Sequence, residues 1–275
     1  MNTVAFPAAT PPAYGPVEPS RKPSSARLSN HLLGGKDHYE CDRHLAAGLL
    51  AVAPWLERAE SLNRRFTRYA TAVAADRGVA QFLDLGCGLP QPLGPDLHEV
   101  ALTYQERVRV LYVDHDPHVV AHARALLDPG GPVTAAHLEA DVLDAERVLS
   151  SAAAVFDPGW PVGVSLHGVL HLCPDDGAVH AMLDALIAWM PPDSYLSISH
   201  PTADFHPRAA CRLTSLCAEA GLPLRLRSRP EVVGLFGGLD VLSPGVTATG
   251  RQLHGAAFKQ PPEVSAAWAG IAIKL

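Results

Sequence analysis

An α/β fold with a mostly parallel sheet is predicted by three features of the sequence. From residue 81 onward, short apolar runs alternate with helical segments, the rhythm of βαβ units. The run at 108–113 is apolar except for Arg109, as a strand covered on both faces would be. The first run, in "QFLDLGCGLP" from Gln81 to Pro90, ends in an acid and two glycines.

The elements follow in chain order. Residues 1–24 hold six prolines with several alanines and serines, and read as a loosely attached tail. Residues 25–78 are helical in pattern and form a cap region. Leu45, Leu49, Val52 and Leu56 recur at helical spacing, as do Leu62, Phe66, Tyr69 and Val73. Asp42 is placed to cap the first of these helices, Pro54 lies near its end, and Gly78 follows the second. Residues 79–275 form the sheet domain. Strands are expected at 81–85, 108–114, 133–139, 162–167, 194–199, 222–227 and 266–274. Helices are expected at 97–107, 117–127, 145–151, 175–190 and 208–220. No internal repeat is seen.

Composition narrows the function classes. Hydrophobic residues make up 48% of the 275, enough for a full core. The formal charge of −6 argues against a nucleic-acid-coating surface. The five cysteines, Cys41, Cys87, Cys173, Cys211 and Cys217, are irregularly spaced without a C-x-x-C, which points to free thiols rather than disulfides or zinc. There is no signal-peptide pattern and no apolar stretch near the ~20 residues that span a bilayer. The expected setting is cytoplasmic, with no membrane, nucleic-acid or metal partner; no oligomeric state is legible.

In an open parallel sheet, ligands bind at the carboxyl ends of the strands. Gly86 and Gly88 stand at the first such end, where the backbone can turn tightly and approach a ligand. The third glycine of a dinucleotide fingerprint is replaced by Gln91. Pro90 and Pro92 argue against a helix starting directly after the loop, and no Walker loop occurs. A diphosphate is therefore disfavoured. S-adenosyl-L-methionine, which has no phosphates, fits an acid-x-G-x-G loop. Asp84 would attract its ammonium, directly or through water, and Cys87 lies between the two glycines. Asp114, at the second strand tip, is placed to accept from both ribose hydroxyls, with His115 beside it. At the third tip, Asp141 is placed to accept from an adenine amino group and Val142 to pack on the ring. Asp116, just before Pro117, and Asp144 read as helix caps.

The chain resembles the actinobacterial S-adenosylmethionine-dependent methyltransferase family long catalogued as a domain of unknown function. The resemblance runs from about residue 26 to 275. It is carried by "ARLSNHLLGGKDHYECDR", "LNRRF", "QFLDLGCGLP", "LHEVA", "VLYVDHDP", "ADVLD", "HGVLHLCPDD" and "SYLSISHPTAD". It implies a class I Rossmann-like fold, with a seven-stranded sheet whose last strand is antiparallel and an N-terminal helical lid region. It places the glycine motif on Asp84, Gly86 and Gly88, the ribose acid on Asp114 and the adenine-side acid on Asp141. Arg64, in the family-like "LNR", would face the cofactor carboxylate. Two departures stand out. Ser29, Asn30 and His31 replace a usual Tyr-Asp-Tyr, and the segment 91–97 is longer and richer in proline. Both imply a changed acceptor range.

The expected activity is methyl transfer to a small molecule, in specialised metabolism. A cofactor-binding protein without transfer, whether a regulator or a cyclase or isomerase, shares the same motifs. A nicotinamide oxidoreductase is disfavoured by the loop. For a general base the candidates are His167 and His171 after the fourth strand, and His31 in the N-terminal segment; His200 is a further histidine at a strand end. His167 and His171 share the spacing of a metal pair but no third ligand presents itself. In "LLGGKDHY", a tight glycine turn would aim Lys36 and Tyr39 toward the cofactor as part of a lid; a turn that merely docks the helices is the alternative.

Overall fold

The computed structural model describes residues 22–90, 94–127, 130–252 and 260–275. Most of the expected tail and residues 91–93 of the proline-rich segment lie outside these. The tail's last residues are docked rather than loose. Ser24 Oγ donates to Asp116 Oδ2 at 2.8 Å, and the Lys22 carbonyl accepts from Arg27 Nη2 at 2.7 Å.

Three helices open the described chain: α1 (Ser25–Leu32), α2 (Glu40–Val52) and α3 (Leu56–Ala75). Leu56, expected to extend the second helix, begins the third, because the chain turns at Ala53 and Pro54. Asp42 sits in the first turn of α2 and reaches back to accept from the Tyr39 N–H at 2.8 Å. It also accepts from the Ser24 N–H at 2.9 Å and pairs with Arg27 at 2.8 Å, both ions buried, so α1 is pinned to α2. Gly78 ends this region with φ +92, which favours glycine after a helix.

The alternating part forms β1 (Gln81–Leu85), α4 (Leu97–Leu102), β2 (Val108–Asp114), α5 (Pro117–Leu126), β3 (Val133–Glu139), α6 (Ala145–Val155), β4 (Val162–His167), a 3-10 turn (Leu170–Leu172), α7 (Asp176–Trp189), β5 (Tyr195–Pro201) and α8 (Pro207–Glu219). There follow α9 (Arg229–Gly234), β6 (Asp240–Val241), β7 (Thr247–Ala248), α10 (Thr249–Gln252), α11 (Pro262–Ser265) and β8 (Ala267–Ile273). The sheet order is β3-β2-β1-β4-β5-β8-β6, with β7 paired to β8. β1 to β5 are parallel, and β8 runs antiparallel to β5. The order reverses between β1 and β4, so the ligand-binding crevice belongs above β1.

Residues 222–227, expected as a strand, join no ladder; the place of a sixth strand falls to β6 instead. The alternation of Leu222, Leu224 and Leu226 is real, but it faces an internal cavity rather than a sheet neighbour. Helix α4 stops at Leu102, where Gln105 Nε2 donates to the Ala75 carbonyl at 2.6 Å before β2 begins.

The core lies on both faces of the sheet. On one, Leu83, Leu85, Leu111 and Val164 pack with α6 and α7. On the other, Phe82, Val110 and Tyr112 pack with Phe66, Ala70 and Ala74 of α3. Helix α3 is thus part of the sheet's own core, and the boundary expected at residue 78 does not divide two cores.

Candidate functional site

β1 delivers the chain to a turn that only glycine fits. Gly86 has φ +69, and a Cβ there would stand 2.5 Å from Val169 Cγ2. The Gly86 and Cys87 N–H groups both donate to the Val113 carbonyl, at 2.8 and 3.1 Å, so the turn wraps the end of β2. The Gly88 N–H then donates to Asp114 Oδ2 at 3.0 Å, and the Asp116 N–H to Asp114 Oδ1 at 3.0 Å. Asp114 is 6% exposed. Burial raises its pKa, against the two backbone donors that lower it.

This turn forms one wall of a cavity of about 460 Å³. Gly86, Gly88, Asp114, His115, Asp141, Val142, Arg64, His167 and His171 all line it, so three successive strand tips and the segment after β4 meet at one cavity. Asp141 Oδ1 accepts from the Leu143 N–H at 2.9 Å, and Val142 is buried. Arg64 Nη1 donates to the Cys87 carbonyl at 3.4 Å, reaching the glycine turn from α3. The opposite wall comes from Ser25, Leu28, Ser29 and Leu32 of α1, with Leu49 of α2. As expected, Asp116 and Asp144 are caps, accepting from the His118 and Arg147 N–H groups at 2.9 and 3.2 Å.

Five expected site residues lie off this cavity. Asp84 shares a strand face with Phe82, so the parity of β1 turns it behind the glycine turn. There Asp84 Oδ1 accepts from Ser165 Oγ at 2.7 Å, and burial pushes its pKa up to about 6. The Cys87 side chain is buried on that same side, beside Asp84 and Tyr112. His31 falls off the cavity face of α1 and packs edge-on against His38, with ring centroids 4.5 Å apart. Lys36 is exposed, and Tyr39 packs against His118 and under the Arg27 guanidinium, 4.8 Å from the ring centroid. The turn that was to aim Lys36 and Tyr39 is held closed: a Cβ on Gly35 would overlap the Asn30 side chain, whose Oδ1 accepts from the Asp37 N–H at 3.0 Å. It docks α1 on α2, and α1 itself covers the cavity.

The histidines divide by their partners. Ser197 Oγ donates to the Val164 carbonyl at 3.2 Å, so it accepts from His167 Nε2 at 2.9 Å, and His167 carries its proton on Nε2. Its Nδ1 is enclosed without a hydrogen-bond partner among the described residues. His200 is fully buried between the Pro201 carbonyl and Arg227, a structural role. His171 makes no side-chain hydrogen bond among the described residues, and of its two ring nitrogens only Nδ1 is enclosed. Burial holds His167 and His171 down to about 3 and His200 to about 4.

These groups set a pH dependence. The three histidines stay neutral when folded but charge when unfolded, so they withdraw stability as pH falls below about 6.5. Asp84, raised to about 6, acts oppositely between about pH 4 and 6, and Asp114, also raised by burial, acts in the same sense as Asp84, but the two number fewer. Stability should therefore fall by about 1–2 kcal/mol per pH unit from pH 6.5 to 5. Urea melts at pH 7, 6 and 5 check this.

Sequence reasoning missed several residues. Asn63 Oδ1 accepts from Ser199 Oγ and ties α3 to β5 at the cavity wall. Trp55 and His206 stack with centroids 3.9 Å apart, closing another part of that wall. Arg227 donates to the Leu170 and Cys173 carbonyls and so holds the 3-10 turn that carries His171. Their partners lie far away in sequence, beyond any local signal.

A family model described as S-adenosyl methyltransferase matches residues 17–275. The chain belongs to this family. A DUF574 family protein from Streptomyces avermitilis is 31% identical, with 92% of this chain and 98% of that one covered and a TM-score of 0.84. A provisionally assigned methyltransferase from Thermobifida fusca is 32% identical, with 92% and 95% covered and a TM-score of 0.82. No curated protein matches. The protein is thus an S-adenosyl-L-methionine-dependent methyltransferase of Rossmann-like fold. The cavity fits that cofactor: two left-handed glycines leave the turn bare of side chains, and a buried carboxylate stands where hydroxyls can be held. Among the described residues, no helix is long and apolar enough to cross a membrane, and no cluster that could hold a metal ion occurs.

Proposed function

We propose that the protein methylates a small molecule, held in the same cavity as the cofactor. The observation that carries this is the cavity itself. Its volume of about 460 Å³ falls in the range of small-ligand sites, and α1, α2 and α8 roof it over. The acidic net charge of −6 supports a small acceptor over nucleic acid.

When bound, the cofactor would supply a methyl group from its sulfonium to the acceptor atom, leaving S-adenosylhomocysteine, and any proton the acceptor carried would pass to bulk solvent. The protein's residues bind, align and exclude water. Asp114 would hold the ribose hydroxyls, Asp141 and Val142 the adenine, and Arg64 the carboxylate end. Asp84 acts from behind the turn as a buried charge. Alignment of this kind supplies roughly 7–11 kcal/mol of a bimolecular barrier.

His171, in the 3-10 turn that follows β4, would accept a hydrogen bond from the acceptor. A neutral imidazole held far below its ordinary pKa orients a proton better than it titrates. His171→Asn should lower turnover about five- to a hundredfold, the range of one hydrogen bond, with cofactor affinity unchanged. Because the imidazole stays neutral, the pH–rate profile should show no step near 6.5 from this residue. Asp114→Ala should weaken cofactor binding about ten- to a hundredfold by loss of charge-assisted contacts. Calorimetry with S-adenosylhomocysteine measures the affinities. Formation of S-adenosylhomocysteine with a panel of small acceptors tests the function; turnover of only protein or nucleic-acid acceptors would overturn it.

A further inference from the structure

We infer that the end of the cavity between α1, α2, α8 and residues 222–226 is the acceptor chamber, and that it takes a largely hydrocarbon molecule that carries no negative charge. This rests on the small-molecule reading above. Leu28, Leu49, Leu213, Leu222, Leu224 and Leu226 line this end. Leu45, Leu49 and Cys217 form a small buried cluster, and Leu28, Leu213, Leu222 and Leu224 pack around it only half-buried. Leucine surface is thus left uncovered inside the protein.

The arginines near this end turn away from it, whereas Glu60 of α3 lines the cavity beside α1, where its Oε2 accepts from Ser29 Oγ at 3.0 Å. Of the residues lining the cavity from α1, α2, α8 and 222–226, none is Lys, Arg, Asp or Glu among those described. Arg225 and Arg227 alternate with the three leucines and point to the opposite side. Arg225 pairs with Asp176 at 3.1 Å and Glu231 at 2.6 Å, and Arg227 pairs with Asp176 at 2.7 Å. An anionic acceptor would lose its hydration there and gain no counter-ion, whereas a hydrocarbon body would cover the leucines.

The chamber adjoins the proposed point of transfer. The Arg225 N–H donates to the His171 carbonyl at 2.8 Å, so the leucine wall and the end of β4 are joined through the backbone. The polar end of the cavity is committed to the cofactor by Asp114, Asp141 and the glycine turn. The apolar end is the remaining space.

The test uses the full chain saturated with S-adenosylhomocysteine and two fluorescent probes: neutral N-phenyl-1-naphthylamine and its anionic sulfonated analogue. The neutral probe should bind at one site, at least about tenfold more tightly than the anionic one, since no cation faces the chamber. Leu224→Glu should weaken the neutral probe by at least about tenfold, and Leu224→Gln by less. Equal binding of the two probes to the wild type, or neutral-probe binding that ignores Leu224→Glu in a folded variant, would overturn the proposal. The two-probe comparison needs no variant, so a misfolded Leu224→Glu does not blunt it. Calorimetry of S-adenosylhomocysteine on the same samples reports the cofactor site separately. Whether a neutral acceptor is then turned over reports the small-molecule reading.

Discussion

Arg227→Ala is expected to destabilise the fold by about 3–5 kcal/mol, since it strips the donor from buried acceptors at roughly 1–3 kcal/mol each. The Arg227 side chain is 1% exposed and uses its whole guanidinium. Nε and Nη2 donate to Asp176 Oδ1 at 3.0 and 2.7 Å. Nη1 donates to the Leu170 carbonyl at 2.8 Å and to His200 Nε2 at 2.9 Å, and Nη2 to the Cys173 carbonyl at 3.1 Å. One side chain therefore holds both ends of the 3-10 turn that carries His171. Removing it leaves two carbonyls and an imidazole nitrogen without their donor. Asp176, nearly half exposed, can rehydrate, so the loss falls on the turn. Lysine supplies one point charge in place of a planar fork and should recover only part. Urea melts of Arg227→Ala and Arg227→Lys measure the effect.

Gly86→Ala is the second large effect, about 2–5 kcal/mol. The left-handed backbone costs a side chain roughly 1–2 kcal/mol, and forcing a methyl into a packed wall costs about 1–3 more. The neighbour that must yield is Val169, itself 9% exposed and packed into the core. Gly88→Ala is the control. Its φ of +66 carries the same backbone penalty, but the nearest atom, at 3.0 Å, is Arg64 Nη2, the far end of a flexible side chain. Thermal melts should rank wild type above Gly88→Ala and Gly88→Ala above Gly86→Ala. Equal melting of the two variants would show that backbone strain, not the Val169 contact, sets the cost.

The sheet and its strand tips were legible because strand position and apolar patterning are local properties. β1 to β4 lie where the runs of Val, Leu and Phe place them, and Asp114 and Asp141 follow from ending those runs. Parity within a strand decides which face a residue takes, and that hid the true place of Asp84. The segment 222–227 was misread because alternating leucines look the same whether a sheet or a cavity lies beyond. β6 and β7, two residues each, carry too little pattern to find. The Arg227 cluster joins residues 176, 200 and 227, and the Asn63 contact joins 63 and 199. Such pairings appear only when the chain is folded. The glycine turn before Lys36 and Tyr39 looks the same in sequence for a lid and for a docking turn, and the closing of Gly35 against Asn30 appears only in the fold.

The most direct test of the cofactor site is hydrogen exchange with saturating S-adenosylhomocysteine. Protection is expected at residues 86–88, 114–116 and 141–143 and along α1, with residues 34–39 changing less. Binding that is calorimetrically intact but leaves exchange at 86–88 and 114–116 unchanged would contradict the account.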